Sequence, residues 1–125
     1  MIRAVSASIL AVTLAGCVSN NSLYEWGSYQ HDLLAYSKNP GEGKKFASSL
    51  SMDIQKAEKA HKVPPGLYAE YGYTLLDSGD SRGAVEYFTK ERDHWPESAA
   101  LMNKLIKRLA ATEVSKPTNN GGAGQ

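Results

Sequence analysis

Leu67-Tyr68-Ala69-Glu70-Tyr71-Gly72-Tyr73-Thr74-Leu75-Leu76-Asp77-Ser78-Gly79-Asp80-Ser81-Arg82-Gly83-Ala84-Val85-Glu86-Tyr87-Phe88 reads as two helices joined by a tight turn. Leu67, Tyr68, Tyr71 and Leu75 recur at three- and four-residue intervals, the spacing that puts side chains on one face of a helix. The helix begins near Pro65, a residue suited to a first helical turn. Asp77 to Ser81 breaks the pattern, and Asp80 and Ser81 are able to cap the next helix. Ala84, Val85 and Phe88, with Tyr87, form the stripe of that helix, which ends at Trp95-Pro96. Gly72 and Ala84 are small enough for the two helices to approach closely. Tyr68, Leu75 and Phe88 fill the seam, and Gly79 relieves the turn.

The same period extends outward in both directions. Upstream, a helix over about Gly43 to His61 carries Phe46, Leu50, Ile54 and Ala57 on one stripe and is ended by Val63-Pro64-Pro65. Before it, Ser22-Leu23-Tyr24-Glu25 has the form of a capping box. Trp26, Tyr29, Leu33 and Tyr36 come after it at helical spacing, and Asn39-Pro40-Gly41 stops that helix. Downstream, a fifth helix from about Glu97 to Thr112 places Leu101, Leu105, Ile106 and Leu109 on one side. No stretch alternates with period two long enough to make a strand. The expected fold is all-α: two helical hairpins and a terminal capping helix.

The N-terminus is of a different kind. Behind Arg3, residues 4–15 are small and apolar except for Ser6, Ser8 and Thr13, a run too short for a permanent span. It ends in Leu14-Ala15-Gly16-Cys17, and Cys17 is the only cysteine. This ending resembles the lipobox of bacterial lipoproteins. The resemblance implies signal-peptidase recognition at Leu14, Ala15 and Gly16, and lipidation of Cys17 as the new N-terminus. Val18 in place of an Asp after the cysteine argues for the outer membrane of a Gram-negative cell, with the domain facing the periplasm. The expected organisation is a signal peptide at 1–16, the lipidated cysteine and a short tether at 17–21, a helical domain at 22–112 and a disordered tail at 113–125. Cleavage leaves 109 residues (125 − 16) with 13 basic and 13 acidic side chains, because Arg3 departs with the signal. That neutrality offers no field for nucleic acid. One domain of this size buries a core without disulfides.

Residues 65–98 resemble one tetratricopeptide repeat. Tyr68, Tyr71-Gly72, Leu75, Gly79, Ala84, Phe88 and Pro96 stand at the positions that the pattern requires. Glu91 departs from it, where the pattern prefers a small residue. A weaker echo pairs Trp26-Gly27 with Tyr71-Gly72, 45 residues apart (72 − 27), which implies a second helix extended by several turns. Over the whole mature chain, Val63-Pro64-Pro65-Gly66-Leu67-Tyr68-Ala69-Glu70-Tyr71-Gly72, Trp95-Pro96-Glu97-Ser98 and Leu23-Tyr24-x-Trp26-Gly27-x-Tyr29 resemble a domain-of-unknown-function family of small bacterial lipoproteins. Its members are typically encoded beside a lipoprotein similar to the curli-secretion channel subunit. The resemblance implies a component of an envelope lipoprotein assembly and no particular reaction.

Chemistry is sparse. His31, His61 and His94 fall on different helices. Glu91 and His94 have the spacing of a bundle metal site without a second such pair, so a solvated surface is the expected setting. Asp77 and Asp80 lack the further ligands of a calcium loop. The serines form no nucleophile elbow and the glycines no phosphate loop. No catalytic residue, metal, cofactor or small-molecule substrate is expected. Trp26, Tyr68 and Tyr71 are expected in the core. Tyr24 and Tyr73, off the main stripes, are expected at the surface, where with Glu70 and Trp95 they are candidates for docking a partner protein. Lys104, Lys107 and Arg108 suit the end of a helix dipole or contact with anionic lipid. The expected function is a non-enzymatic adaptor in an outer-membrane lipoprotein complex; the alternative is a regulator that binds peptidoglycan or its synthesis machinery.

Overall fold

A computed structural model describes residues 21–115. Five helices succeed one another: α1 (Tyr29–Lys38), α2 (Gly43–Lys59), α3 (Leu67–Asp77), α4 (Ser81–His94) and α5 (Ala99–Ser115), with no strand among the described residues. The fold is all-α. Leu14, Ala15, Gly16 and Cys17 lie outside the described residues, as does the tail from residue 116. The first three residues expected in that tail, Glu113 to Ser115, belong to α5.

Consecutive helices pack on one another, α1 on α2, α2 on α3, α3 on α4 and α4 on α5. Phe46, Leu50, Ile54 and Ala57, the stripe expected of α2, are buried together with Val63, Leu67 and Tyr68. Tyr29, Leu33, Tyr36 and Tyr71 flank this cluster, and Tyr36 stacks on Phe46 at 4.8 Å. A second cluster joins Ala84, Phe88 and Met102 to Leu75, Leu76, Leu105, Ile106 and Leu109. In α5 it is thus Met102 that is buried, while Leu101 is 53% exposed. The turn Pro96–Ser98 leads directly into α5. Leu101 and Met102 fit the same period equally well, and only the approach of α4 chooses between them.

The close approach expected at Gly72 is present: a Cβ there would lie 2.6 Å from Phe88 Cε1. Asp80 caps α4 as expected, accepting the Gly83 N–H at 2.9 Å. The box at Ser22 does not form. The Ser22 hydroxyl donates to the Tyr24 carbonyl, Glu25 accepts from the Gly27 N–H, and α1 begins only at Tyr29. Two causes act together. Gly27 turns the chain at φ +54°, where a Cβ would overlap the Asp53 carboxylate. Asp53, 1% exposed on α2, then accepts from both the backbone N–H and the hydroxyl of Ser28. A carboxylate from the next helix serves the start of α1 in place of a local cap.

The second hairpin repeats this device. Glu91 on α4 is fully buried, and its Oε1 accepts the Gly66 N–H at 2.8 Å in front of α3. Ser28 to Gly66 and Asp53 to Glu91 are the same 38-residue step (66 − 28 and 91 − 53). The helix starts Tyr29 to Leu67 and Gly43 to Ser81 keep that step. The register of the two hairpins is therefore 38 residues, not the 45 suggested by the glycine-aromatic echo. The helix lengths agree, α2 having 17 residues and α4 14, so α2 is not longer by several turns.

Candidate functional site

Segment 22–28 crosses one end of the helix stack. The Glu25 N–H donates to the Lys62 carbonyl at 2.8 Å, and the Lys62 ammonium donates to the Ser22 carbonyl at 2.9 Å. This end comprises the α2–α3 link, the α4–α5 link and the starts of α1 and α3. On it the rings form a row. Tyr24 meets Trp95 edge-on at 5.8 Å and Trp26 at 6.5 Å, and Trp26 lies at 5.4 Å from Tyr29. Beyond Tyr29 comes Glu70 on the first turn of α3, close enough for its charge to act on the Tyr29 hydroxyl.

The four residues expected to form one docking surface thus fall into two pairs. Tyr24 and Trp95 touch each other and are both half-buried, so Tyr24 is not the freely exposed ring expected. Segment 22–28 is not helical, and helical spacing therefore gives the wrong orientation for Tyr24. Glu70 and Tyr73 are neighbours one turn apart on α3. Tyr73 is 40% exposed and rests edge-on against Phe88 at 5.2 Å. Lys104, Lys107 and Arg108 are exposed on α5, further along the helix from the aromatic row.

Partial burial, not the lack of an ion pair, sets Glu70 apart, since Glu25, Asp77, Asp80, Glu97 and Glu113 also make none among the described residues. Glu70 makes no ion pair among the described residues, whereas Asp53 has Lys56 at 3.8 Å and Glu58 has Lys90 at 3.7 Å. Partial burial pushes the Glu70 carboxyl above its usual range. Burial, and then the charge of Glu70, raises the Tyr29 phenol. Because the folded chain holds the Glu70 proton more tightly than the unfolded chain, this group costs stability as the pH rises through the window just above the ordinary carboxylate range. Glu70→Gln is expected to flatten the fall in stability across that window. It should also raise the urea midpoint at pH 7 while leaving it unchanged at pH 4. Urea titrations at both pH values check this.

Spacing assigns Glu91 and His94 to a solvated surface; the structure corrects this for Glu91 and leaves His94 exposed. Glu91 is buried beneath Gly66 and Ser98, and His94 packs edge-on against Tyr68 and Trp95. Burial of a carboxylate leaves no mark in spacing; the one signal is its departure from the small residue of the repeat pattern. Beyond His94, the hydroxyl of Tyr68 donates to Glu58 at 3.0 Å, and the Lys90 ammonium lies 4.7 Å from the centre of the Tyr87 ring. Burial first, and then Glu58, raises the Tyr68 phenol. These contacts tie α2, α3 and α4 together. Among the described residues no three His, Cys, Asp or Glu side chains gather as a metal site. No described helix is long and apolar enough to cross a membrane.

The family described as a domain of unknown function (DUF4810) matches residues 23–105, and the chain belongs to it. Comparison with curated proteins and with solved structures returned no match.

Proposed function

We propose that this chain is a lipid-anchored, non-catalytic adaptor of the outer membrane. Its helical domain stands in the periplasm and holds other envelope lipoproteins, a curli-secretion-channel-like subunit foremost among them. The anchor rests on Leu14-Ala15-Gly16-Cys17, and the assembly on the family resemblance. A tetratricopeptide-like stacking of the hairpins is in keeping with helices that pack consecutively and with the carboxylate device repeated in each.

The observation that carries the adaptor reading is Glu70. It is a half-buried carboxylate with no cation of its own, one helical turn from a tyrosine that is 40% exposed. Burial disfavours its charge, so a Lys or Arg from a partner would gain more there than at a solvated carboxylate. Tyr73 supplies the apolar area and polar tip typical of interface anchors. The test is co-purification of the lipidated protein with outer-membrane lipoproteins. Tyr73→Ala should lower recovery of the partner at least about tenfold, the range of an interface hot spot, with helicity by circular dichroism unchanged. Unchanged recovery removes the reading. Sedimentation with sacculi in place of lipoproteins moves it to peptidoglycan.

A further inference from the structure

We infer that the aromatic end of the helix stack is a membrane-docking surface that seats in the interfacial zone of the bilayer. The inference rests on the reading that Cys17 carries the lipid. The five residues from Cys17 to Asn21 span at most about 17 Å when fully extended. Ser22, where the described segment is fixed, is held by Lys62. The end of the stack formed by the 60–66 and 95–98 links is therefore the end kept against the lipid. This is a constraint of chain length, and it selects one end of the fold.

The side chains at that end suit the location. Leu23 is 81% exposed, an apolar side chain at the tip with nothing covering it. Tyr24 and Trp26 stand behind it with apolar faces and polar edges, the residue types that concentrate at headgroup level, and Trp95, its indole N–H turned into the fold, backs Tyr24. Lys59 and His61 are exposed at the close of α2, and Lys62 lies beside them. Lysines in this position reach headgroup phosphates. The carboxylates nearest in sequence are Glu58, already engaged by the Tyr68 hydroxyl and the Lys90 ammonium, Glu25, already accepting from the Gly27 N–H, and Glu97. The charges nearly balance, so the apolar and aromatic groups drive the seating and the lysines orient it. Lys104, Lys107 and Arg108 lie further along α5 and take no part in this contact.

The chain contains two tryptophans, Trp26 and Trp95, and both are at this end, so native fluorescence reports on it alone. The lipidated full chain is reconstituted into phosphatidylcholine vesicles with and without phosphatidylglycerol, carrying bromine at shallow or deep acyl positions. Shallow bromine is expected to quench tryptophan emission at least twofold more than deep bromine in both vesicle types, more strongly with phosphatidylglycerol. Leu23→Asp, at a side chain too exposed to disturb the fold, is expected to halve the quenching while flotation persists. An insertion of about ten Gly and Ser residues after Val18 adds a flexible reach of roughly 17 Å. Quenching kept within twofold in that variant shows affinity of the surface itself; its loss shows proximity imposed by the tether and overturns the proposal. Chains that float without quenching also overturn it and leave the anchor standing. Failure to float overturns the anchor and the orientation together.

Discussion

Glu91→Ala is expected to lower the free energy of unfolding by about 3 kcal/mol, read as a drop in the urea midpoint at unchanged slope. The Oε1 of Glu91 accepts from the Gly66 N–H at 2.8 Å and from the Ser98 hydroxyl at 3.1 Å, so one atom joins the α2–α3 link to the α4–α5 link. Alanine leaves that backbone donor without its acceptor inside the fold. The hydrogen bond is part-buried, and losing it with its charged acceptor costs about 1–3 kcal/mol, to which the volume vacated by the buried side chain adds. Glu91→Gln keeps a carbonyl oxygen for Gly66 and should cost about 1 kcal/mol. Equal losses in the two variants would mean that charge, not the acceptor, matters at this position. In a domain whose whole stability is on the order of 5–15 kcal/mol, the alanine variant is near the limit of folding at growth temperature.

Phe88→Ala is expected to cost about 3–5 kcal/mol by the same measurement. Phe88 is fully buried at the centre of the second cluster, with the backbone of Gly72 against one side of its ring and Tyr73 edge-on at 5.2 Å. Gly72→Ala alone forces the ring to shift and should cost about 1–3 kcal/mol. Together the two substitutions should cost less than the sum of the single losses, because the new methyl group enters space the ring has left. Strict additivity would show that the ring and the glycine do not meet. Loss of Phe88 also removes the support of Tyr73, so the two largest stability effects fall on the hairpin that carries the Glu70–Tyr73 surface.

Much of the fold is legible in the order of residues. The stripe Phe46, Leu50, Ile54 and Ala57 is buried as its period requires, and Asp80 caps α4 where the turn places it. Gly72 lies against the neighbouring helix as its size implies. The departures share a cause. The capping box at Ser22 is a local pattern, and it loses to a carboxylate 25 residues away from Ser28. Leu101 and Met102 are equivalent to a periodicity argument, and contact with α4 decides between them. Glu91 has the spacing of a surface charge, whereas its partners come from two loops. Helical spacing misplaces Tyr24 because its segment is not helical, and its exposure is smaller than that spacing predicts for the same reason.

Spacing between apolar residues, glycines and prolines is a property of neighbours along the chain, and helix period, turn chemistry and the small-residue approach depend on little else. For that reason the sequence alone determined that this protein is all-α, where most of its turns fall, and that its N-terminus ends an apolar run in Leu-Ala-Gly-Cys. Tertiary structure alone decided the 38-residue register, the burial of Asp53 and Glu91 as caps for distant helix starts, and the division of the aromatic and acidic residues into two surfaces. Each of these is set by which atoms meet across elements. The low dielectric at those meetings strengthens each hydrogen bond formed there, enough to override local preference, even while Glu91 Oε2 and Trp95 Nε1 stay buried without a partner among the described residues.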